Sequence, residues 1–325
     1  MPDSIMHAAL IMAHKNKKQL IRLIKAVSTD NIDIFVHLDV KWKLTKQEIV
    51  EIENCANNVF IVKKRIHGVL DRFSLPQIEL NLIDAALKRE KTANIRYAYF
   101  ILLSGQDYPI KSNEYIQRFL ATQYPKPLID YDAAIEGNWV WGKYQLTKWD
   151  NKITEIQKRR KKGIIRTFEV GFCVMAYKIE KFFRKTPWQR LEKSGIAIYG
   201  GSQWWTLPHE TIDFIKEQLK RNARVVRQLK RAWTPEENFF QTLALNSPSK
   251  KYIVKDDDIF DTGKGNFKAI TYCNFITPKK PFRGHPHIII EEDYERIISK
   301  KALFARKFDI ETDEKILDLI DEYRK

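Results

Sequence analysis

Two adjacent glutamates in the segment Thr234-Pro-Glu-Glu carry the residue type needed for general base catalysis. Glu236 and Glu237 are both candidates for such a base. The same pattern also fits a helix start, because Thr234 with a glutamate three positions later forms a capping box ahead of the apolar Phe239. A helix N-terminus would favour the carboxylate form. From the residues alone, a cap and a catalytic base both remain open, with the cap the commoner of the two.

Polar side chains follow three apolar runs at the points where those runs end. They are His14, Asp39, Lys41, Gln106 and Asp107. Because the carboxyl ends of parallel strands meet at one edge of a sheet, we expect these residues to border a ligand site. An aspartate there can accept a hydrogen bond from a ribose hydroxyl or a base imide. Any single aspartate is more often a turn or cap residue, and it is the repetition that indicates a site.

The elements that must position these residues repeat in the order strand, helix, strand. The central strand is the aromatic and apolar run 97–103, which ends at Ser104-Gly105. A helix that Ser112 or Asn113 can cap follows it and runs to Leu120. Further strands are predicted at 7–13, 32–38 and 59–63, and helices at 45–56, at 75–89 and around the apolar face of Leu20 to Val27. Short connections between such units predict a parallel, Rossmann-like α/β sheet.

The second half of the chain has a weaker pattern. We expect loops over 131–166, strands at 169–177 and 197–201, and a helix at 211–221. Trp204 and Trp205 follow a glycine turn, where indoles could stack on a sugar or simply belong to the core.

Composition limits the class of protein. The 325 residues are 44% apolar, with three widely spaced cysteines, and contain no apolar run long enough to span a membrane, no signal-peptide pattern and no glycine-rich dinucleotide or P-loop motif. We therefore expect a cytoplasmic protein. The net charge of +16 indicates an anionic partner: nucleic acid, a phospholipid surface or a phosphate-bearing substrate. The densest basic run is 158–162, close to the aromatic segment 139–149, and a solvated loop is its commonest interpretation.

Two acidic clusters raise the question of a metal ion. Asp130-Tyr-Asp132 is a D-x-D sequence, and residues 256–258 with Asp261 are also acidic. Such clusters are common by chance, and neither is expected to follow a strand as the metal motif does. The sequence predicts no metal and no other cofactor.

Five ordered blocks resemble the core-2/I-branching glycosyltransferases, a family that includes β-1,6-N-acetylglucosaminyltransferases and peptide O-xylosyltransferases. The blocks are residues 37–39, 100–112, 201–205, 234–242 and 303–309. The resemblance runs from about residue 7 to the C-terminus. Animal members carry a membrane anchor before the catalytic domain, whereas this sequence begins with the domain, so it looks like a bacterial cytosolic relative.

The resemblance implies a GT-A fold, with residues 1–325 as one catalytic domain divided into a nucleotide-sugar half (about 5–125) and an acceptor half (about 126–325). It also implies a UDP-sugar donor, inversion at the anomeric carbon and no metal. The implied donor contacts are Ile11, Met12, Ala13, Asp39, Lys41, Asp107, Arg283 and Lys307; the implied base is Glu237, with Trp204 and Trp205 as acceptor contacts. Lys307 and an arginine would neutralise the leaving diphosphate, and either Arg283 or His287 falls near the position of that partner.

The expected activity is therefore transfer of GlcNAc or xylose to a hydroxyl of a glycan in bacterial surface polysaccharide synthesis. Lipid-linked acceptors would lie at the inner membrane face, where the basic surface could make peripheral contact with anionic lipid. The alternative from another class is a nucleic-acid-binding protein, which predicts steeply salt-dependent binding and no affinity for UDP.

Overall fold

A computed structural model describes residues 5–133, 164–183, 193–230, 234–253, 270–275 and 286–325. The strands are β1 (Met6–Ala13), β2 (Ile32–Leu38), β3 (Val59–Ile61), β4 (Tyr97–Ser104), β5 (Asp107–Pro109), β6 (Leu128–Ile129), β7 (Asp132–Ala133), β8 (Tyr199–Gly200), β9 (Trp205–Pro208), β10 (Thr271–Cys273) and β11 (Phe304–Arg306). The helices are α1 (Lys17–Val27), α2 (Lys46–Glu53), α3 (Ser74–Ala93), α4 (Asn113–Gln123), α5 (Ile164–Phe183), α6 (His209–Arg221), α7 (Ala223–Leu229), α8 (Phe239–Leu245), α9 (Tyr294–Ile298) and α10 (Lys315–Arg324).

A six-stranded sheet in the order β3-β2-β1-β4-β9-β6 forms the centre of the molecule. The strands β1 to β4 are parallel, whereas β9 runs antiparallel to both of its neighbours. Helices flank the sheet, which confirms the prediction of a mostly parallel α/β sheet of the GT-A type. None of the described helices is long and apolar enough to cross a bilayer.

Alternation along the central strands divides the core between the two faces of the sheet. In β1, Ala9, Ile11 and Ala13 point to a cluster that includes α1, α4 and α10. Leu10 and Met12 point to the opposite cluster, which includes α3, α6 and α8. Since both faces are covered, β1 and β4 are apolar along nearly their whole length, as the sequence predicted for the central strand.

Local capping fixes where several helices begin. Thr45 accepts a hydrogen bond from the Glu48 N–H and the Glu48 carboxylate accepts from the Thr45 N–H, a complete capping box for α2. The Ser112 hydroxyl accepts from the Tyr115 N–H and starts α4 as predicted. These caps fix where the loops that follow β2 and β5 end and the next helices begin.

Two predictions for the second half are corrected. Residues 169–177 form part of the helix α5 rather than a strand, because apolar side chains recur there every three or four residues, the helical period. Asp130 directly follows β6, so the D-x-D sequence does come after a strand, contrary to expectation. The strand predicted at 197–201 is present but shorter: Tyr199–Gly200 pairs with Asp132–Ala133.

A small second sheet brings the end of the chain back to the central strand. Its order is β10-β11-β5, and β11 is antiparallel to β5. The pairing places Arg306 opposite Asp107. Residues some 200 positions apart in sequence therefore meet at the carboxyl end of β4.

Candidate functional site

Asp39 lies just beyond β2, with its carboxylate bound by neighbouring loops. It accepts hydrogen bonds from the N–H groups of Lys41 and Gly68, both at 2.8 Å, and Nδ1 of His67 lies 3.0 Å away. Burial alone would raise the pKa of Asp39, but these donors together lower it below its ordinary value. Asp39 is thus a charged group that organises the loop, and the exposed Lys41 contacts it through the main chain. Their contact with uridine and ribose stays a prediction.

The end of β1 supports the site mainly through its backbone. The Met12 carbonyl accepts from the Gly105 N–H at 2.9 Å, and the Ala13 carbonyl accepts from the Asp39 N–H at 2.8 Å. The Ile11 side chain has no exposed surface, because it packs in the core beneath the sheet. Of Ile11, only the backbone could therefore lie along a nucleotide, and the donor contacts of Ile11, Met12 and Ala13 stay predictions. Ala13 is also almost fully buried.

Arg306 connects Asp107 with Trp204. One terminal nitrogen of Arg306, Nη1, lies 3.3 Å from Oδ1 of Asp107, and the guanidinium carbon lies 3.9 Å from the centre of the Trp204 indole. The other Asp107 oxygen accepts from the Ser104 N–H at 2.8 Å. Oδ1 of Asp107 and Nε and Nη1 of Arg306 are buried and make no hydrogen bond to the described residues. These atoms retain hydrogen-bonding capacity toward a ligand.

Burial raises the pKa of Asp107 to about 6, although Arg306 and the Ser104 N–H act in the opposite direction. Asp107 therefore gains or loses its charge close to neutral pH. A sugar hydroxyl bound to it would meet a strong acceptor above that pH and a potential donor below it.

Lys307 belongs to a group of cations at the same edge of the sheet. Its pKa is lowered by partial burial and by the charges of Arg306 and Lys15. The pKa of His14 is lowered in the same way, by desolvation and then by Lys15 and Lys307. Lys15 is itself paired with Asp309, with Nζ 2.5 Å from Oδ2. Because the neighbouring cations disfavour the charge of Lys307, this group would gain from a bound anion, which a diphosphate would supply.

Of the two candidate partners for Lys307, Arg283 lies outside the described residues. His287 is described, and its N–H donates to the Asn274 carbonyl, while the Asn274 N–H donates to the Arg306 carbonyl. The main chain of His287 therefore lies near the Arg306–Lys307 segment. Sequence reasoning missed Arg306, although it adjoins Lys307 in the same block.

The predicted cap at Thr234 is wrong. Thr234 has a left-handed backbone (φ 39°) with no side-chain hydrogen bond to the turn that follows, Pro235–Glu237. That turn is a single 3₁₀ turn, and the α-helix α8 begins only at Phe239. Glu237 thus stands at the end of the turn, where its carbonyl accepts from the Gly201 N–H at 2.8 Å.

The environment of Glu237 favours the protonated carboxyl, contrary to the expectation of a stabilised carboxylate. Burial, followed by the charges of Glu236, Asp71 and Asp130, raises the pKa of Glu237 to about 8. One oxygen of Glu236 accepts from the Asp71 N–H at 2.9 Å, so Glu236 has a structural bond to the loop before α3. A carboxyl with a pKa near neutrality has the proton affinity that a general base requires.

Gly201 lies against the backbone of Asp130 and donates its N–H to the Glu237 carbonyl. A Cβ atom at this position would overlap the backbone carbonyl of Asp130, so only glycine fits. The next residue, Ser202, donates its N–H to Oδ2 of Asp130 at 2.9 Å. The Cys273 thiol lies within electrostatic range of Asp130, Asp107 and Arg306, and its pKa is raised to about 12, by burial above all. Asp130 is thus within electrostatic range of Glu237 and also of Cys273, which in turn lies within range of Asp107.

The two tryptophans have different environments. Trp204 is partly exposed beneath the Arg306 guanidinium, where it can still meet a ligand. Trp205 is 1% exposed, and its indole N–H donates to Glu79 at 3.0 Å. The expected acceptor contact of Trp205 is corrected, since alternation along β9 turns its side chain into the core.

Glu79, on α3, is a fully buried carboxyl that sequence reasoning missed because nothing distinguishes it from a surface glutamate. Besides Trp205 it accepts from the Gln203 amide at 2.8 Å. Burial raises the pKa of Glu79 well above its ordinary value. It fixes the segment that carries Trp204.

The residues of the D-x-D sequence have structural partners. Asp130 accepts from Ser202, and Asp132 pairs with Gly200 in the two-stranded sheet. Within the described ranges, no three His, Cys, Asp or Glu side chains come together as a metal site would require. The acidic residues 256–258 and Asp261 lie outside those ranges.

The mostly parallel sheet, with carboxylates and cations at the carboxyl ends of its strands, is consistent with a GT-A-type glycosyltransferase fold. The chain belongs to the Core-2/I-Branching enzyme family, whose model it matches over residues 8–297.

Several curated relatives are xylosyltransferases. The chain is 24% identical to xylosyltransferase 2 of Rattus norvegicus over 318 residues, which cover 96% of this chain and 33% of the relative. It is 23% identical to xylosyltransferase 2 of Homo sapiens with the same coverage. Identity to xylosyltransferase 1 of Homo sapiens is 21% over 317 residues, 97% of this chain and 30% of the relative. The chain thus spans about a third of the length of these relatives.

Proposed function

We propose that this protein is an inverting, metal-independent glycosyltransferase that moves a sugar from a UDP-sugar to a hydroxyl of a glycan. The observation that carries the proposal is that cations and a carboxyl of raised pKa occur together at the edge where the carboxyl ends of the strands meet. Arg306 and Lys307 supply cations, and Glu237 supplies a carboxyl whose pKa is raised to about 8. These are the groups that a single displacement at an anomeric carbon needs.

Each residue has a defined task in the proposed reaction. Glu237 removes the proton of the acceptor hydroxyl as its oxygen bonds to the anomeric carbon. The bond from that carbon to the diphosphate oxygen breaks, and its electron pair leaves with UDP. Lys307 and Arg306 offset the charge that develops on the diphosphate, the task that a metal performs in other enzymes. Asp107 receives a hydroxyl of the donor sugar.

The proposed donor sugar is xylose or GlcNAc. The names of the curated relatives make UDP-xylose the first to test. The proposed acceptor is a lipid-linked precursor of a bacterial surface polysaccharide at the inner membrane face. The net charge of +16 supports peripheral contact with an anionic membrane there.

A thermal-shift panel of UDP, UDP-xylose, UDP-GlcNAc, UDP-glucose and UDP-galactose, each with and without EDTA, tests the donor. A ligand bound to the folded state alone raises the melting temperature. We expect one UDP-sugar to stabilise the protein equally with and without EDTA, and transfer from it to a saccharide acceptor to follow. Stabilisation lost on adding EDTA would overturn metal independence. No stabilisation by any UDP compound, together with salt-dependent nucleic-acid binding, would favour the alternative function.

A further inference from the structure

The helix α5 presents an apolar stripe to solvent. Its members recur at intervals of four and three residues, so they lie within an arc of about 80° on the helix surface. They are Phe168 (75% exposed), Phe172 (57%), Met175 (55%), Ile179 (53%) and Phe182 (83%). On the other side of the helix, Cys173 is buried. At Gly171, beside the stripe, an added Cβ would meet no atom within 4 Å, which shows how open this side is.

A continuous exposed stripe of this kind marks an interaction site, since single exposed apolar residues are normal but a row of large ones is not. The helix is not a membrane span. An exposed apolar face with exposed charged residues beside it, here Glu169 and Lys178, is typical of helices that lie in the plane of a bilayer surface.

The positive charge of the sequence that contains the stripe indicates an anionic partner. Between residues 158 and 185 the sequence has ten lysines or arginines and two glutamates, and the run 158–162 ends two residues before α5 begins. Lys178, at the margin of the stripe, is exposed. A second copy of the chain would bring the same positive excess into the contact and be repelled, even though the spacing suits a helix pair. An anionic phospholipid surface offsets the charge and takes up the apolar side chains.

We propose that α5 is an interfacial membrane-binding helix, with the stripe inserted among acyl chains and the flanking basic residues on anionic headgroups. The proposal extends the peripheral contact suggested above but does not depend on the transfer reaction. It predicts binding to phosphatidylcholine vesicles that contain phosphatidylglycerol, and much weaker binding to phosphatidylcholine alone.

The double variant Phe168→Ser/Phe182→Ser tests the stripe by vesicle flotation of the full chain. Both side chains are more than 70% exposed, so their removal should lower the melting temperature only slightly and leave its shift with UDP unchanged. Loss of two inserted phenyl groups should weaken partitioning about a hundredfold. The matched control is Val50→Ser/Tyr115→Ser, which removes two exposed apolar side chains on α2 and α4 and should bind like the parent.

The result that would overturn the proposal is flotation of the Phe168→Ser/Phe182→Ser variant equal to that of the parent, or no flotation of the parent with phosphatidylglycerol. Sedimentation velocity without lipid tests the remaining possibility, that the stripe is a contact between two copies of the chain. If the parent is a dimer that this variant alone dissociates, then the stripe is a contact between two copies and the membrane proposal is wrong. Glu237→Gln should float normally, so failure of the catalytic proposal would be distinguishable from failure of this one.

Discussion

Replacement of Glu237 by glutamine tests both the catalytic role and the electrostatics from which it was inferred. Burial and the nearby carboxylates raise the pKa of Glu237 from its ordinary 4.5 to about 8. Because the folded-state pKa is raised, ionisation of Glu237 opposes folding. This cost is absent below pH 4.5, grows as the pH rises toward about 8 and is complete above it.

The magnitude follows from the shift. Each pKa unit corresponds to about 1.4 kcal/mol, so the full shift would amount to about 5 kcal/mol, and partial contact with solvent reduces this to about 2–4 kcal/mol. Glutamine carries no charge. Glu237→Gln should therefore be more stable than the parent by that amount above pH 8, and equally stable below pH 4.5.

Two assays check the prediction. Urea unfolding across this pH range gives the free energies without any substrate. Initial rates of sugar transfer give kcat/KM, which in the parent should rise tenfold per pH unit until about pH 8. In Glu237→Gln the rate should fall about 10²- to 10⁴-fold and lose this pH dependence.

Glu236→Gln is the matched control, since it removes the neighbouring charge while an amide oxygen can still accept from the Asp71 N–H. It should stay active, with the rise in rate moved to lower pH. The reasoning is refuted if Glu237→Gln keeps the parent rate and pH profile, or if its stability relative to the parent does not change with pH.

Three further predictions concern the groups around the base. Lys307→Met should lower the affinity for UDP about 10- to 100-fold, as measured by calorimetry. It should nevertheless raise the melting temperature, because neighbouring cations disfavour the charge of Lys307. A lower melting temperature would contradict the cation cluster. Gly201→Ala should destabilise the fold strongly in urea unfolding, because its Cβ overlaps a backbone carbonyl, whereas the control Gly171→Ala should be neutral or stabilising by up to about 1 kcal/mol. Glu79→Gln should keep a free energy of unfolding near that of the parent. Glu79→Leu should lose about 2–4 kcal/mol of it, because two buried donors lose their acceptor. Equal stability of the two variants would contradict the role of Glu79.

The sequence predicted the first half of the fold well because its signals are local. Strands such as 32–38 are bounded by turn residues and match the observed β2, and Ser112 caps α4 as expected. Prediction failed at 169–177, where a strand was expected. The helical spacing of the same residues forms α5 instead. Composition alone does not distinguish a short buried strand from part of an exposed apolar helix.

The site was harder to predict because its contacts are distant in sequence. Asp107 was a candidate from its place at a strand end, but its partner Arg306 is set by the register of β11 against β5. Glu79 and Trp205 are 126 positions apart and meet because a helix packs on a sheet. No local pattern carries that information, and a buried glutamate on a helix has the same sequence signature as an exposed one.

The two interpretations of Thr234 to Glu237 differ in what they require of the backbone, and the observed backbone excludes the capping box. A capping box needs an extended residue followed by a helix whose N–H groups are free to donate. Thr234 is left-handed and the turn after it ends at Glu237, so Glu237 does not lie within the first turn of an α-helix. Among the described residues, no backbone N–H acts to lower its pKa. Its environment instead consists of carboxylates and buried surface, which raise its proton affinity. The absence of a capping box and the raised proton affinity are thus two separate observations, and both fit the proposed general base better than a helix cap.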